Sequence, residues 1–227
     1  MDILIFSILI SLIIVCAIVS LIGMYIGRTF KDSLFESSNL HLLSIKDIGK
    51  VLLIENGLSD VRIKWKKGGD NCFILNKNKI QINKKYKSVL TLKGIATICH
   101  ETGHAILYNS GFPPSILRHT LPQYYSDPFL MFLYIIFSYI WIYTGLVYIS
   151  IGILLLFSVT SIMILIDEWK ATSKGLKELE KYCTVSSNKC IKRMRIYLFS
   201  CWCTYLSNEL IYFQWMLLLI FFMWLLL

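Results

Sequence analysis

The chain has 227 residues, 56% of them hydrophobic and 16% charged, with Lys and Arg outnumbering Asp and Glu 23 to 14. A mean hydropathy of +0.62 is too high for an ordinary soluble domain. The formal charge of +9 comes with no nucleic-acid-binding module, so it reads as attraction to anionic lipid headgroups, with no nucleic-acid partner.

Residues 1–27 come first. Ile3 to Ile26 carries no charge and is long enough to cross a bilayer. Asp2 stands where a signal peptide has basic residues, and no small-x-small cleavage site precedes Arg28. An uncleaved anchor is therefore expected.

Residues 28–127 carry 15 of the Lys and Arg. Ser44 can cap a helix running to about Asn56, where Gly57 stops it. Val61 to Trp65 alternates apolar and basic residues, as a half-buried strand does. Asn71–Leu75 and Lys79–Ile82 make two more strands, joined by a hairpin turn across "NKNK". An edge of such a sheet could hold an extended peptide by main-chain hydrogen bonds. A helix of about twenty residues follows, with Ser88 as its expected N-cap and Gly111, Pro113 and Pro114 as its stop.

Near the end of that helix stands His100-Glu101-Thr102-Gly103-His104. With this composition a His-Glu-x-x-His match arises by chance only roughly 0.002 times per chain. Residues i and i+4 share a helix face, so His100 and His104 can each turn a ring nitrogen to one ion. Glu101 then stands beside the ion and can take a proton from the attacking water.

Residues 128–166 are 39 in number and uncharged. As one helix they would measure roughly 58 Å, too long for a hydrocarbon core of about 30 Å. Two spans joined near Thr144-Gly145 are expected. Residues 167–195 hold the other eight Lys and Arg, and 196–227 is apolar except for Glu209. At least Leu210–Leu227 is expected in the membrane. The expectation is a mainly α membrane protein with about four transmembrane helices and a small α+β zincin-like domain. Confinement of every Lys and Arg to two blocks puts both blocks in the cytosol. The seven cysteines show no CxxC pair and read as free thiols.

Two histidines leave a catalytic zinc site one ligand short. The metzincin extension would need Gly at 107 and His at 110, where Leu107 and Ser110 stand. A thermolysin-like glutamate would fall near Gln123 and Tyr124 and is absent. Lys93 argues against a motif inside a membrane span, as in intramembrane site-2 proteases. His119, Asp167 and Glu168 remain open.

Three stretches resemble the small membrane-bound bacterial zinc metallopeptidases of the "putative neutral zinc metallopeptidase" type. They are "NGLSDVRI" (56–63), "HETGHAILYNSGFPPSILRHTLP" (100–122) and "DEWKATSKGL" (167–176). The second is similar to that family's motif followed by a proline-containing loop. The third is similar to its run of glutamate, aromatic, Asn or Asp, alanine and small hydroxyl. The resemblance implies a zinc-dependent membrane protease with Glu168 as the third ligand, Asp167 being a weaker candidate and His119 weaker still. Lys170 departs from the pattern, as does the stretch after Asp70.

The expected function is peptide hydrolysis at the membrane, with Zn2+ held by His100, His104 and Glu168 and with Glu101 as general base. Its partners would be a peptide or membrane-protein substrate and the lipid bilayer. The rival is a non-catalytic or degenerate zinc-binding membrane adaptor.

Overall fold

Helix α1, Ile3–Lys31, is apolar along almost its whole length. A computed structural model gives the protein's structure and describes residues 3–31, 44–68, 71–87, 91–120, 147–182 and 188–226, with four single positions between 133 and 140. The chain divides into two units: residues 1–26, 121–163 and 203–227, and residues 27–120 with 164–202.

The second unit begins with α2, Ile45–Glu55. The Ser44 hydroxyl accepts the Asp47 backbone N–H at 3.2 Å and donates to the Asp47 carboxylate at 2.5 Å, satisfying an otherwise orphaned first-turn donor. The helix ends at Asn56, so the cap and the stop both agree with the sequence. Strands β1 (Arg62–Lys66), β2 (Cys72–Ile74) and β3 (Lys79–Asn83) follow. The sheet order is β1-β3-β2, with β1 parallel and β2 antiparallel to β3. Ile80 pairs with Ile63 on one side and Phe73 on the other, and all three are buried. Asn78 takes the left-handed turn position at φ 41°, which its short polar side chain tolerates.

Helix α3, Leu92–Asn109, is capped by Thr91, whose hydroxyl accepts the Gly94 N–H at 3.0 Å. That corrects the expected cap, since Ser88 lies outside the described residues. At the other end Gly111 adopts φ 77°. Its N–H reaches the Tyr108 carbonyl, and the Phe112 N–H reaches that of Leu107. This paired closure needs a left-handed residue, hence glycine. Helix α4, Pro113–Thr120, starts at the two prolines, where a loop was expected; proline's fixed φ suits a first helical turn.

Helix α5 is Val147–Tyr182 and α6 is Asn188–Leu226. Residues 164–182 of α5 and 188–202 of α6 belong to the second unit. Its core joins Ile48, Leu52, Ile82, Ile98, Leu176 and Met194. Each fully buried side chain of this kind contributes about 1.5–3 kcal/mol. The Asn56 amide donates to Glu178, which also accepts from Lys174 at 2.7 Å. Burial, the largest influence, pushes the Glu178 pKa up. The Lys174 and Asn56 hydrogen bonds, with the Lys174 and Lys181 charges, outweigh it and hold the pKa below the ordinary value.

In the first unit, Phe157 of α5 packs against Met216 of α6, and Ser161 donates to buried Glu209 at 2.5 Å. The expectation of about four transmembrane helices is corrected here. Among the described residues one helix, over Ile10–Arg28, is long and apolar enough to cross a membrane. In that unit α5 and α6 bury Phe157, Ser161, Glu209 and Met216 in helix–helix contacts, while Leu155, Leu156, Val159 and Ile162 of α5 stay exposed. The turn expected near Thr144-Gly145 lies outside the described residues.

The close approach of α3 and α5 positions the site. A Cβ on Gly103 would fall 2.0 Å from the Ala171 carbonyl oxygen, and one on Gly175 would fall 1.9 Å from that of Cys99. The two contacts run in reverse chain order, so the helices pass antiparallel with backbone against backbone. Gly175→Ala should force them apart and cost about 1–3 kcal/mol. Gly152→Ala, where a Cβ meets nothing within 4 Å, should instead be neutral or stabilising by up to about 1 kcal/mol. Thermal melts of both variants check this; equal melting temperatures would refute the tight crossing.

Candidate metal centre

Four residues per near-turn stack His100 and His104 on one face of α3. Their Nε2 atoms lie 3.2 Å apart, with the rings edge to face at 83°. Antiparallel α5 brings Glu168 up to them. Its Oε2 is 3.1 Å from His100 Nε2 and 3.8 Å from His104 Nε2. Four zinc ligands at tetrahedral angles, with bonds near 2.0–2.1 Å, stand about 3.3 Å from one another. The three donor atoms therefore have the spacing of a divalent-metal site. Among the described residues His100, His104 and Glu168 form the one group that could hold such an ion.

The far nitrogens strengthen the fit. His100 Nδ1 lies 3.0 Å from the Thr172 hydroxyl, and His104 Nδ1 lies 3.0 Å from Asp167 Oδ2. The Thr172 hydroxyl, accepting from His100 Nδ1, would hold the proton there and leave the Nε2 lone pair for a metal. Glu168 and Asp167 are almost wholly buried, while the His100 side chain keeps 14% of its surface exposed. The buried carboxylates demand compensating positive charge, and a dication between the Nε2 atoms would supply it.

Sequence reasoning carried Asp167 as a spare metal candidate. The structure turns it instead to the outer nitrogen of His104. The step of about 100° between neighbouring helical residues keeps adjacent acids off a single point. Glu101 is buried on the turn that carries the histidines. Lys170 is exposed, so this departure from the expected pattern falls outside the buried face of Asp167, Glu168, Ala171 and Thr172. Cys99 is buried at the helix crossing, a packing position as its neighbour relation to His100 suggested. The side chains of His119 and Asp70 lie outside the described residues.

Comparison with known families matches residues 8–224 to one described as "Putative neutral zinc metallopeptidase". Comparison with curated proteins and with solved structures gives no match. A match over nearly the whole chain, joined to a donor set of two imidazoles and a carboxylate, establishes Zn2+ as the implied cofactor. The chain belongs to the putative neutral zinc metallopeptidase family.

Proposed function

We propose that the protein hydrolyses peptide bonds at a zinc site made by His100, His104 and Glu168, with Glu101 as general base. The observation that carries this reading is the convergence of three donor atoms at 3.1–3.8 Å. When bound, zinc supplies Lewis acidity, polarising the scissile carbonyl and lowering the pKa of water toward about 7. The two imidazoles and the carboxylate would hold the ion. Thr172 and Asp167, beside the outer nitrogens of His100 and His104, would orient the imidazoles. Glu101 accepts a proton from the attacking water and returns it to the leaving amine.

A peptide is the fitting substrate because β2 is an outer strand of the sheet and packs on α3, with the Phe73 and Tyr108 rings 6.4 Å apart. An outer strand supports an extended chain by main-chain hydrogen bonds. Helix α1 would tie the protein to a bilayer, and Arg28 and Lys31 at its end favour a cytosolic site. The positive charge would serve lipid headgroups and not nucleic acid.

Purified protein should contain one zinc per chain and cleave casein. Chelation should reduce cleavage to background, and added zinc should restore it. Zinc-loaded protein without cleavage of casein or membrane peptides would favour a metal-binding adaptor instead.

A further inference from the structure

In the second unit the contacts of α5 with α6 run in reverse chain order. Glu180 meets Arg195, Trp169 meets Phe199, and the Leu165 carbonyl meets Trp202. The helices are therefore antiparallel, and both change character at one level. Residues 147–166 of α5 and 196–208 of α6 carry no charge, whereas charged residues recur through 167–181 and 189–195. Three aromatic rings mark the junction. Trp169 stands edge to face against Phe199, with centroids 6.2 Å apart, and Phe199 stacks on Trp202. Trp202 is anchored by its Nε1 donating to the Leu165 carbonyl at 2.9 Å. Trp169 and Phe199 nonetheless keep 46% and 39% of their surface exposed. Exposed Ile166, one turn before Trp169, extends this apolar surface away from the charged side.

A cavity of about 340 Å³ opens between the helices here, lined by Trp169 and Phe199 and also by Lys177, Glu180 and Arg195. Lys177 follows Trp169 by eight residues, about 12 Å along a helix, so apolar and cationic walls lie at different levels. Glu180 lies 3.4 Å from Arg195 and balances one of the two cations.

We propose that this cavity binds an anionic phospholipid. Its phosphate would sit against Lys177 and Arg195, and the start of an acyl chain against Trp169 and Phe199. Tryptophan at a boundary between uncharged and charged chain is the arrangement found at membrane–water interfaces, and basic residues there attract anionic headgroups. Free phosphate would have no use for the exposed rings, and a neutral lipid none for the cations. The volume is at the low end for ligand pockets, which suits a headgroup with the first methylenes, the rest of a chain resting on Ile166. Helix α1 is long and apolar enough over Ile10–Arg28 to cross a membrane, so the chain has its own route to a bilayer. The site stands whether or not the metal centre hydrolyses peptides.

For the test, full-length protein in a neutral detergent is titrated with dioleoylphosphatidylglycerol, dioleoylphosphatidylcholine or inorganic phosphate. Retained lipid is counted by native mass spectrometry. Wild type should hold one phosphatidylglycerol about tenfold or more tightly than phosphatidylcholine. Lys177→Gln with Arg195→Gln should shrink that preference to about twofold. Trp169→Ala should weaken both lipids by about three- to tenfold and leave the preference standing. Lys64→Gln with Lys66→Gln, which removes the same charge from exposed positions on β1, should change nothing. Both charge variants alter exposed side chains alone, so the test survives misfolding of the tryptophan variant. An unchanged preference in the Lys177, Arg195 variant would overturn the site. Equal loss in the two charge variants would mean diffuse attraction and overturn it too. So would equal binding of both lipids by wild type, or displacement of phosphatidylglycerol by inorganic phosphate at matched concentration.

Discussion

Glu101→Gln is expected to keep its zinc and lose peptide hydrolysis by about 10²–10⁴-fold. Glutamine has nearly the same shape, so the buried position on α3 remains filled. The Nε2 atoms of His100 and His104 and the Glu168 carboxylate stay as they are. What disappears is a basic oxygen, since an amide cannot take up the proton of the attacking water. Metal analysis beside kcat/KM on a single peptide separates the two effects. Unchanged turnover would remove Glu101 from the mechanism. Loss of zinc would make it part of the metal site.

The features of the fold that follow local rules were legible before any coordinates. Ser44 and the Asn56-Gly57 stop bound α2 because capping is decided within one turn. The strand around Ile63 follows from alternation, and those around Phe73 and Ile80 from two short runs joined by a turn. Their order does not, because placing β3 between β1 and β2 depends on contacts far apart in sequence. Thr91 took the cap that Ser88 was expected to supply, a shift between two hydroxyl residues at the same end of the helix. The four-span expectation failed for a different reason. On α5, Phe157 packs with Met216 while Leu155, Leu156 and Ile162 stay exposed, and a hydropathy count sees no difference between the two.

The site divides in the same way. His100 and His104 were legible because helical period alone places them together. Glu168 could be named only through the resemblance to a known family, since nothing local joins it to the histidines. The placement of Asp167 and Thr172 beside the imidazoles follows the register in which α5 passes α3, where Gly103 and Gly175 lie at the contact.

Glu168→Gln should weaken zinc binding by at least about a hundredfold, whereas Asp167→Asn should cost about tenfold. Outer partners of metal-bound histidines commonly contribute 10–100-fold in affinity, of the order expected at Asp167. Asparagine keeps an oxygen that can accept the His104 Nδ1–H, which puts that variant at the mild end. Glu168 has no such substitute, because a neutral amide oxygen replaces the one anionic donor within 3.1 Å of His100 Nε2. Competition against a chelator of known affinity would rank the two variants. If the Asp167 variant loses more zinc than the Glu168 variant, the ligand and its outer partner have been exchanged.

The distance along the chain between the ligands has a consequence for how the protein is made. His100 and His104 lie one turn apart and come into place as soon as α3 coils. Glu168 follows 64 residues after His104. Bringing the ends of such a segment together costs about 4 kcal/mol of chain entropy, before any constant term. An ion shared by both ends repays part of that cost and acts as a reversible crosslink between two regions synthesised well apart. Zinc supply and completion of the fold are then coupled: a chain deprived of metal has its first two ligands ready but less reason to hold α5 against α3.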